Sequence, residues 1–106
     1  MSIKLVEGDV EVLFEEVPTL DDDGNPITVD FVALIEYKAE INDRENYDYL
    51  DWSTRYITLT WARNDDGVDL EIPFSDKMRE KLEQIVWHST LKVEEACWEA
   101  INDSLW

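Results

Sequence analysis

Carboxylates are the reactive side chains this sequence holds in abundance. Two clusters stand out, Asp21-Asp22-Asp23 and the stretch Asp43-Arg44-Glu45-Asn46-Tyr47-Asp48-Tyr49-Leu50-Asp51-Trp52. Carboxylates at this density can hold a divalent cation, exchange protons with a substrate, or pair with Lys and Arg of another molecule. The cation reading fails on spacing. A calcium loop needs Gly at its sixth position and a bidentate Glu at its twelfth. Counted from Asp21, Gly24 stands fourth and Val32 twelfth; counted from Thr19, Gly24 stands sixth but Pro26 falls eighth. Acid–base chemistry leaves no specific signature, because almost any two acids could be paired. His88 and Cys97 are the only residues of their kind. They are too few for a zinc site, and Cys97 lies on an apolar helical stripe, where a buried structural thiol is the commoner role. Glycines at 8, 24 and 67 make no phosphate-binding loop. No catalytic residue, metal or cofactor is expected, and the chain is not read as an enzyme.

Pairing with a positive partner remains. Asp and Glu outnumber Lys and Arg by 26 to 9, a formal charge of −17 on 106 residues. A small domain needs a net charge of only roughly 2–8 in magnitude to stay in solution, and the surplus repels itself on folding. The surplus is unevenly placed. Residues 1–74 hold 19 acids and 5 bases, whereas 75–106 hold 7 acids and 4 bases. That asymmetry favours an acidic flank over the uniform acidification of a halophile surface. Duplex DNA carries one charge per about 1.7 Å, so seventeen charges match roughly 29 Å of it. A domain of this length is expected to be roughly 30–35 Å wide.

In general composition the chain resembles small acidic proteins of phage and mobile elements, among them anti-restriction and anti-CRISPR proteins and the immunity proteins of nuclease toxins, although no motif identifies a family. The resemblance implies a protein that occupies the basic site of a nucleic-acid-handling enzyme, with carboxylates standing where phosphates would, and that binds no nucleic acid itself. The residues first in line for such contacts are Asp21, Asp22, Asp23, Asp43, Glu45, Asp48 and Asp51, with Tyr47, Tyr49 and Trp52 as aromatic anchors.

The elements that must position these groups follow from periodicity. Val10, Val12 and Phe14 alternate with Glu11, Leu13 and Glu15, and a longer alternation runs from Ile27 through Phe31 and Ile35 to Ile41. Pro18 to Pro26 is dense in turn formers, so the two segments predict a hairpin with a long tip. The stretch from Asn42 to Ser53 breaks the alternation and reads as a connection. Arg55, Ile57, Leu59, Trp61 and Arg63 predict one face of a third strand. Asn64-Asp65-Asp66-Gly67 then turns into a fourth strand over Val68 to Phe74, with Gly67 at positive φ. Pro73 closes the strand region. Ser75 is a plausible N-cap. Met78, Leu82, Ile85 and Val86 form one helical stripe, and Val93, Ala96, Cys97, Ala100, Ile101 and Leu105 form another. Their phase nearly continues across Ser89-Thr90; two helices are preferred to one of about 30 residues, which is long against a mean of about 11–12.

The sum is a single α+β domain, residues 1–106: a four-stranded antiparallel meander of two hairpins over 1–74, covered by one or two C-terminal helices over 75–106. Leu91, Trp98 and Trp106 lie off the main C-terminal stripe; they could fold back onto the sheet, or Trp98, Leu105 and Trp106 could join two copies. This supports a second reading, a structural or adaptor subunit using its apolar C-terminal helix. No run of about 18 apolar residues and no signal-peptide layout is present, and a cytoplasmic location is expected.

Overall fold

A computed structural model describes residues 3–42 and 47–105, with side chains described over 4–41 and 49–103. The chain forms β1 (Ile3–Leu20), β2 (Pro26–Asn42), β3 (Tyr47–Asn64), α1 (Asp76–His88) and α2 (Thr90–Leu105). The strands make one antiparallel sheet in the order β1-β2-β3. Both helices pack on the same face of it. The α+β class and the two C-terminal helices agree with the sequence reading.

The core is written in β2. Ile27, Val29, Phe31, Ala33, Ile35, Tyr37 and Ala39 are all buried, at every second position, beneath Met78, Leu82 and Val86 of α1 and Val93, Cys97 and Ile101 of α2. From β1, Val12 and Phe14 join them, and the Phe14 ring stacks on Phe31 at 4.7 Å. Because side chains alternate across a strand, this row sends Asp30, Val32, Leu34, Glu36, Lys38 and Glu40 to the other face. Among the described residues no element covers that outer face along most of its length.

Strands of 17 and 18 residues are long for a globular protein, where about 5–6 is usual, and bulges bend them. Two bulges flank Asp30. On β1 the register slips between Phe14 and Val17, and on β3 between the partners of Asp30 and Phe31. Glu16 takes the left-handed conformation, φ 50, and its N–H donates to the Asp30 carboxylate at 2.7 Å. Thr60, the extra residue on β3, donates its hydroxyl to the Asp30 carbonyl at 3.0 Å. One residue of the central strand therefore holds the bend on both sides.

The predicted fourth strand is not formed. Val68 to Phe74 contributes a single bridge, Arg63 to Asp69, and two main-chain bonds, from Asn64 N to Val68 O at 3.0 Å and from Leu70 N to Ala62 O at 2.8 Å. It then leaves the sheet toward α1 through Pro73, which has no N–H to extend a ladder. The turn itself is as expected, with Gly67 at φ 81 and its N–H donating to Asn64 O. Three strand ends also exceed the reading. β1 starts at Ile3, ahead of the alternation that begins at Val10. β1 continues through Pro18 to Leu20, leaving a tip of only 21–25. β3 begins at Tyr47, inside the stretch read as a connection. The predicted face of β3 splits for a local reason. Bulges near Arg55 and Thr60 shift its phase twice, so Trp52, Ile57, Leu59 and Ala62 face the helices while Trp61 and Arg63 face outward.

Ser75 caps α1 as expected, its hydroxyl accepting from Met78 N at 3.1 Å. The helices separate at Ser89, whose N–H turns back to Val86 O and whose hydroxyl donates to Ile85 O. The molecule measures 57 × 22 × 17 Å with a radius of gyration of 16.8 Å. It is longer and thinner than the expected width of roughly 30–35 Å for a compact domain of this length, because the strands set its long axis.

Gly8 on β1 sits opposite Tyr37, whose ring fills the space a side chain would take. A Cβ there would lie 2.6 Å from the phenol oxygen and 2.9 Å from its ring carbon. Gly8→Ala is expected to destabilise the fold by about 1–3 kcal/mol through overpacking, and adding Tyr37→Phe is expected to recover part of the loss. Urea unfolding of the two single variants and the double variant checks this.

Candidate acidic interface on the open sheet face

The outward residues of the sheet stand in rungs fixed by the strand register. Leu5, Glu40 and Tyr49 share one rung, followed by Glu7, Lys38 and Asp51, then Asp9, Glu36 and Ser53, then Glu11, Leu34 and Tyr56. Successive rungs lie about 6.6–6.8 Å apart and neighbouring strands about 4.7–4.9 Å apart. Six carboxylates thus occupy four rungs against one lysine in the alternation. Lys38 reaches Glu7 at 3.7 Å, and Arg55, from the bulge, reaches Glu36 at 3.1 Å. All four groups are well exposed, so these pairs offset little of the repulsion.

The face is hollowed here. A cavity of about 410 Å³ is lined by Glu7, Asp9, Glu36, Lys38, Asp51 and Ser53 together with Gly8, Tyr37 and Trp52. A second, of about 260 Å³, adjoins it along Leu5, Glu7, Lys38, Glu40, Tyr49 and Asp51. Leu5 and Tyr49 expose 71% and 50% of their surface at this end, and Tyr56 and Leu13 are exposed further along. The result is a strip of carboxylates with apolar and phenolic surface among them. Beyond the Asp30 bend the character changes. Trp61 Nε1 and Arg63 Nε both donate to Asp69 Oδ1, at 3.1 and 3.3 Å, and the guanidinium lies 4.5 Å over the indole. That end is closed by its own contacts.

The sequence-predicted residues fall in three places. Tyr49 and Asp51 belong to the open face. Trp52 lines the larger cavity but stacks on Trp87 of α1 at 4.8 Å, so its ring serves the core side. Asp43 and Glu45 lie outside the described residues, and the side chains of Tyr47 and Asp48 outside the described side chains. The Asp21-Asp22-Asp23 tip lies toward the other end and is engaged internally. Asp21 accepts from the N–H groups of Asp23 and Asn25 at 3.0 and 2.8 Å, and these bonds, Asn25 first, hold its carboxyl below the usual range. Asp22 accepts from the Ser75 hydroxyl at 2.9 Å, and Lys81 Nζ donates to the carbonyls of Leu20 and Asp21, each at 3.0 Å. The tip fastens the hairpin to the start of α1. Glu7, Asp9, Glu36 and Glu40 were not singled out from the sequence, although period-two alternation already put Glu36 and Glu40 opposite the apolar row.

Negative charge is not confined to this face. Acids also occupy the Asn64–Gly67 turn and the solvent side of the helices, where Lys77, Arg79, Lys81 and Lys92 are interspersed with them. Among the described residues no three His, Cys, Asp or Glu side chains are grouped to hold a metal, and no helix is long and apolar enough to cross a membrane. His88 Nδ1 lies 2.6 Å from Gln84 O at the end of α1. Cys97 is fully buried, and desolvation, with Glu94 nearby, pushes its thiol up to about 11. It is therefore protonated at neutral pH. Trp98 is half-buried against the core, while Leu91, about two helical turns earlier on α2, is exposed. The side chain of Leu105 and all of Trp106 lie outside the described residues. No family model, curated protein or solved structure matches the chain.

A thiol harder to ionise in the folded protein than in the unfolded chain contributes stability that is complete below the unfolded value, near 9.0, and is lost as pH rises toward 11. Stability is expected to fall across that window, and Cys97→Ala to flatten the fall, in urea titrations from pH 8 to 11. The crowded outer carboxylates repel one another through water, so the melting temperature is expected to rise between about 10 and 150 mM NaCl as the screening length shortens to about 8 Å. A melting temperature that falls with salt would contradict this account.

Proposed function

We propose that this protein binds a positively charged, nucleic-acid-handling protein and inhibits it, presenting the carboxylates of its open sheet face where that partner would hold phosphates. The observation that carries the reading is the density and regularity of charge. On a chain of net charge −17, six carboxylates stand on four successive rungs of this one face against Lys38 and Arg55, the rungs about 6.6–6.8 Å apart, close to twice the roughly 3.4 Å spacing of phosphates along one DNA strand. On the face itself Glu7, Asp9 and Glu11 repeat along β1, with Glu36 and Glu40 one strand away and Asp51 two strands away. A rigid sheet holds these groups at fixed intervals without the ordering cost of a mobile tail. Exposed Leu5, Tyr49 and Tyr56 add contact area that phosphates lack. Such a surface speeds encounter with a basic partner and loses affinity as salt rises.

The test is capture of partners from the native host on immobilised protein, followed by elution with duplex DNA. DNA-binding proteins released by DNA and by about 0.5 M salt are expected. The triple variant Glu36→Gln/Glu40→Gln/Asp51→Asn is expected to bind the captured protein about tenfold more weakly, three exposed charge contacts each being worth a fraction of a kcal/mol to about 1 kcal/mol. A partner that resists both salt and DNA and is lost on Trp98→Ala would overturn the reading in favour of an adaptor role for the helical layer.

A further inference from the structure

We propose that the free edge of β1 accepts an extended segment of the partner as a fourth strand, one with Lys or Arg at alternate positions and apolar residues between them. The proposal rests on the reading of a basic partner and adds the main chain to it. β1 pairs with β2 on one side only, and among the described residues no strand pairs with its other side. From Ile3 to Phe14 its register is unbroken, so an uninterrupted row of N–H and C=O groups faces outward, a template for strand addition. The opposite edge of the sheet is poorly suited. β3 carries bulges near Arg55 and Thr60, and its end already receives Leu70 N on Ala62 O. Bulges twist an edge away from pairing.

The side chains of β1 decide what such a strand must look like. Outward, Glu7, Asp9 and Glu11 succeed one another at every second residue. Inward, Val6 and Val10 are only half-buried, with Gly8 between them. A neighbouring strand would set one of its faces beside the three carboxylates and the other beside the two valines. Opposite charges across a strand pair attract and like charges repel. A second copy of this chain would place Glu and Asp against Glu and Asp, and two bodies of charge −17 would meet. The same carboxylates that refuse a copy of this chain or an acidic segment therefore select a basic, amphipathic one.

The probe is a 12-residue peptide of alternating Lys and Val. Its partners in the test are the same peptide with Glu for Lys, and a version of equal charge with two central Val replaced by Pro. The Lys–Val peptide is expected to bind and to slow amide hydrogen exchange selectively within residues 4–14. The Pro version, which cannot complete the ladder, is expected to bind at least about tenfold more weakly, and Glu7→Lys/Asp9→Lys/Glu11→Lys to lose the Lys–Val peptide and gain the Glu–Val one. Equal binding of the Pro version, or binding without protection of β1 amides, would overturn strand addition while leaving charge pairing on the face intact. Absence of any Lys–Val binding would overturn it as well. Capture of a DNA-displaceable partner, measured separately with the Glu36/Glu40/Asp51 variant, decides the functional reading independently.

Discussion

Everything in this fold follows from one row of side chains. The seven alternate residues of β2 from Ile27 to Ala39 must leave water together, and among the described residues their main cover is the pair of helices after Ser75, with Leu70, Ile72 and Phe74 beside them. Those helices suffice for one face of the sheet and no more. The other face is left to solvent by the same alternation that buries the first, and its residues had to be ones that solvate well. The acidic surface is thus tied to the core through backbone geometry. A one-residue slip of β2 would bury Glu36 and Glu40 and expose Ile35 and Tyr37.

The length of the strands creates a second requirement, met at Asp30. Long strands accumulate twist, and a straight three-stranded ribbon of this length would turn its inner row away from the helices. Bulges on both neighbours of Asp30 bend the sheet at that point, at the cost of placing Glu16 in a conformation that L residues seldom adopt. The carboxylate of Asp30 is consequently a structural acid amid residues whose charge is otherwise available to solvent. The tip acids Asp21 and Asp22 are structural in the same sense, satisfying backbone and hydroxyl donors. Counting acids in the sequence does not separate these roles; hydrogen-bond partners do.

What could be read from the sequence was whatever repeats with a clean period. The inner row of β2, the Gly67 turn, the Ser75 cap and both helical stripes were legible because apolar spacing and cap chemistry are local. The fourth strand was not, because Val68, Leu70 and Ile72 alternate like a strand while Pro73 and the route to α1 pull them off the sheet. The start of β3 was hidden by Tyr47 to Ser53, whose mixture of acids and aromatics looks like a connection. It pairs because β2 already extends that far beside it. Bulges near Arg55 and Thr60 scrambled the apparent faces of β3, and no local signal marks them. The candidate interface was legible in part: Tyr49 and Asp51 by their types, Glu36 and Glu40 by phase, and Glu7 and Asp9 only once β1 was seen to start at Ile3.

The fastening of the first hairpin to α1 bears on how the chain assembles. Lys81 and Ser75 find their partners at Leu20, Asp21 and Asp22, 53 to 61 positions away in sequence. Neighbouring strands can zip from their turns with little loop to close, but this latch cannot form until both the tip and the first helical turn exist. Docking of the helical layer at this latch therefore closes a far longer loop than strand zipping does. A chain that halts before it would display its apolar row and its acidic row at once, as a two-faced sheet.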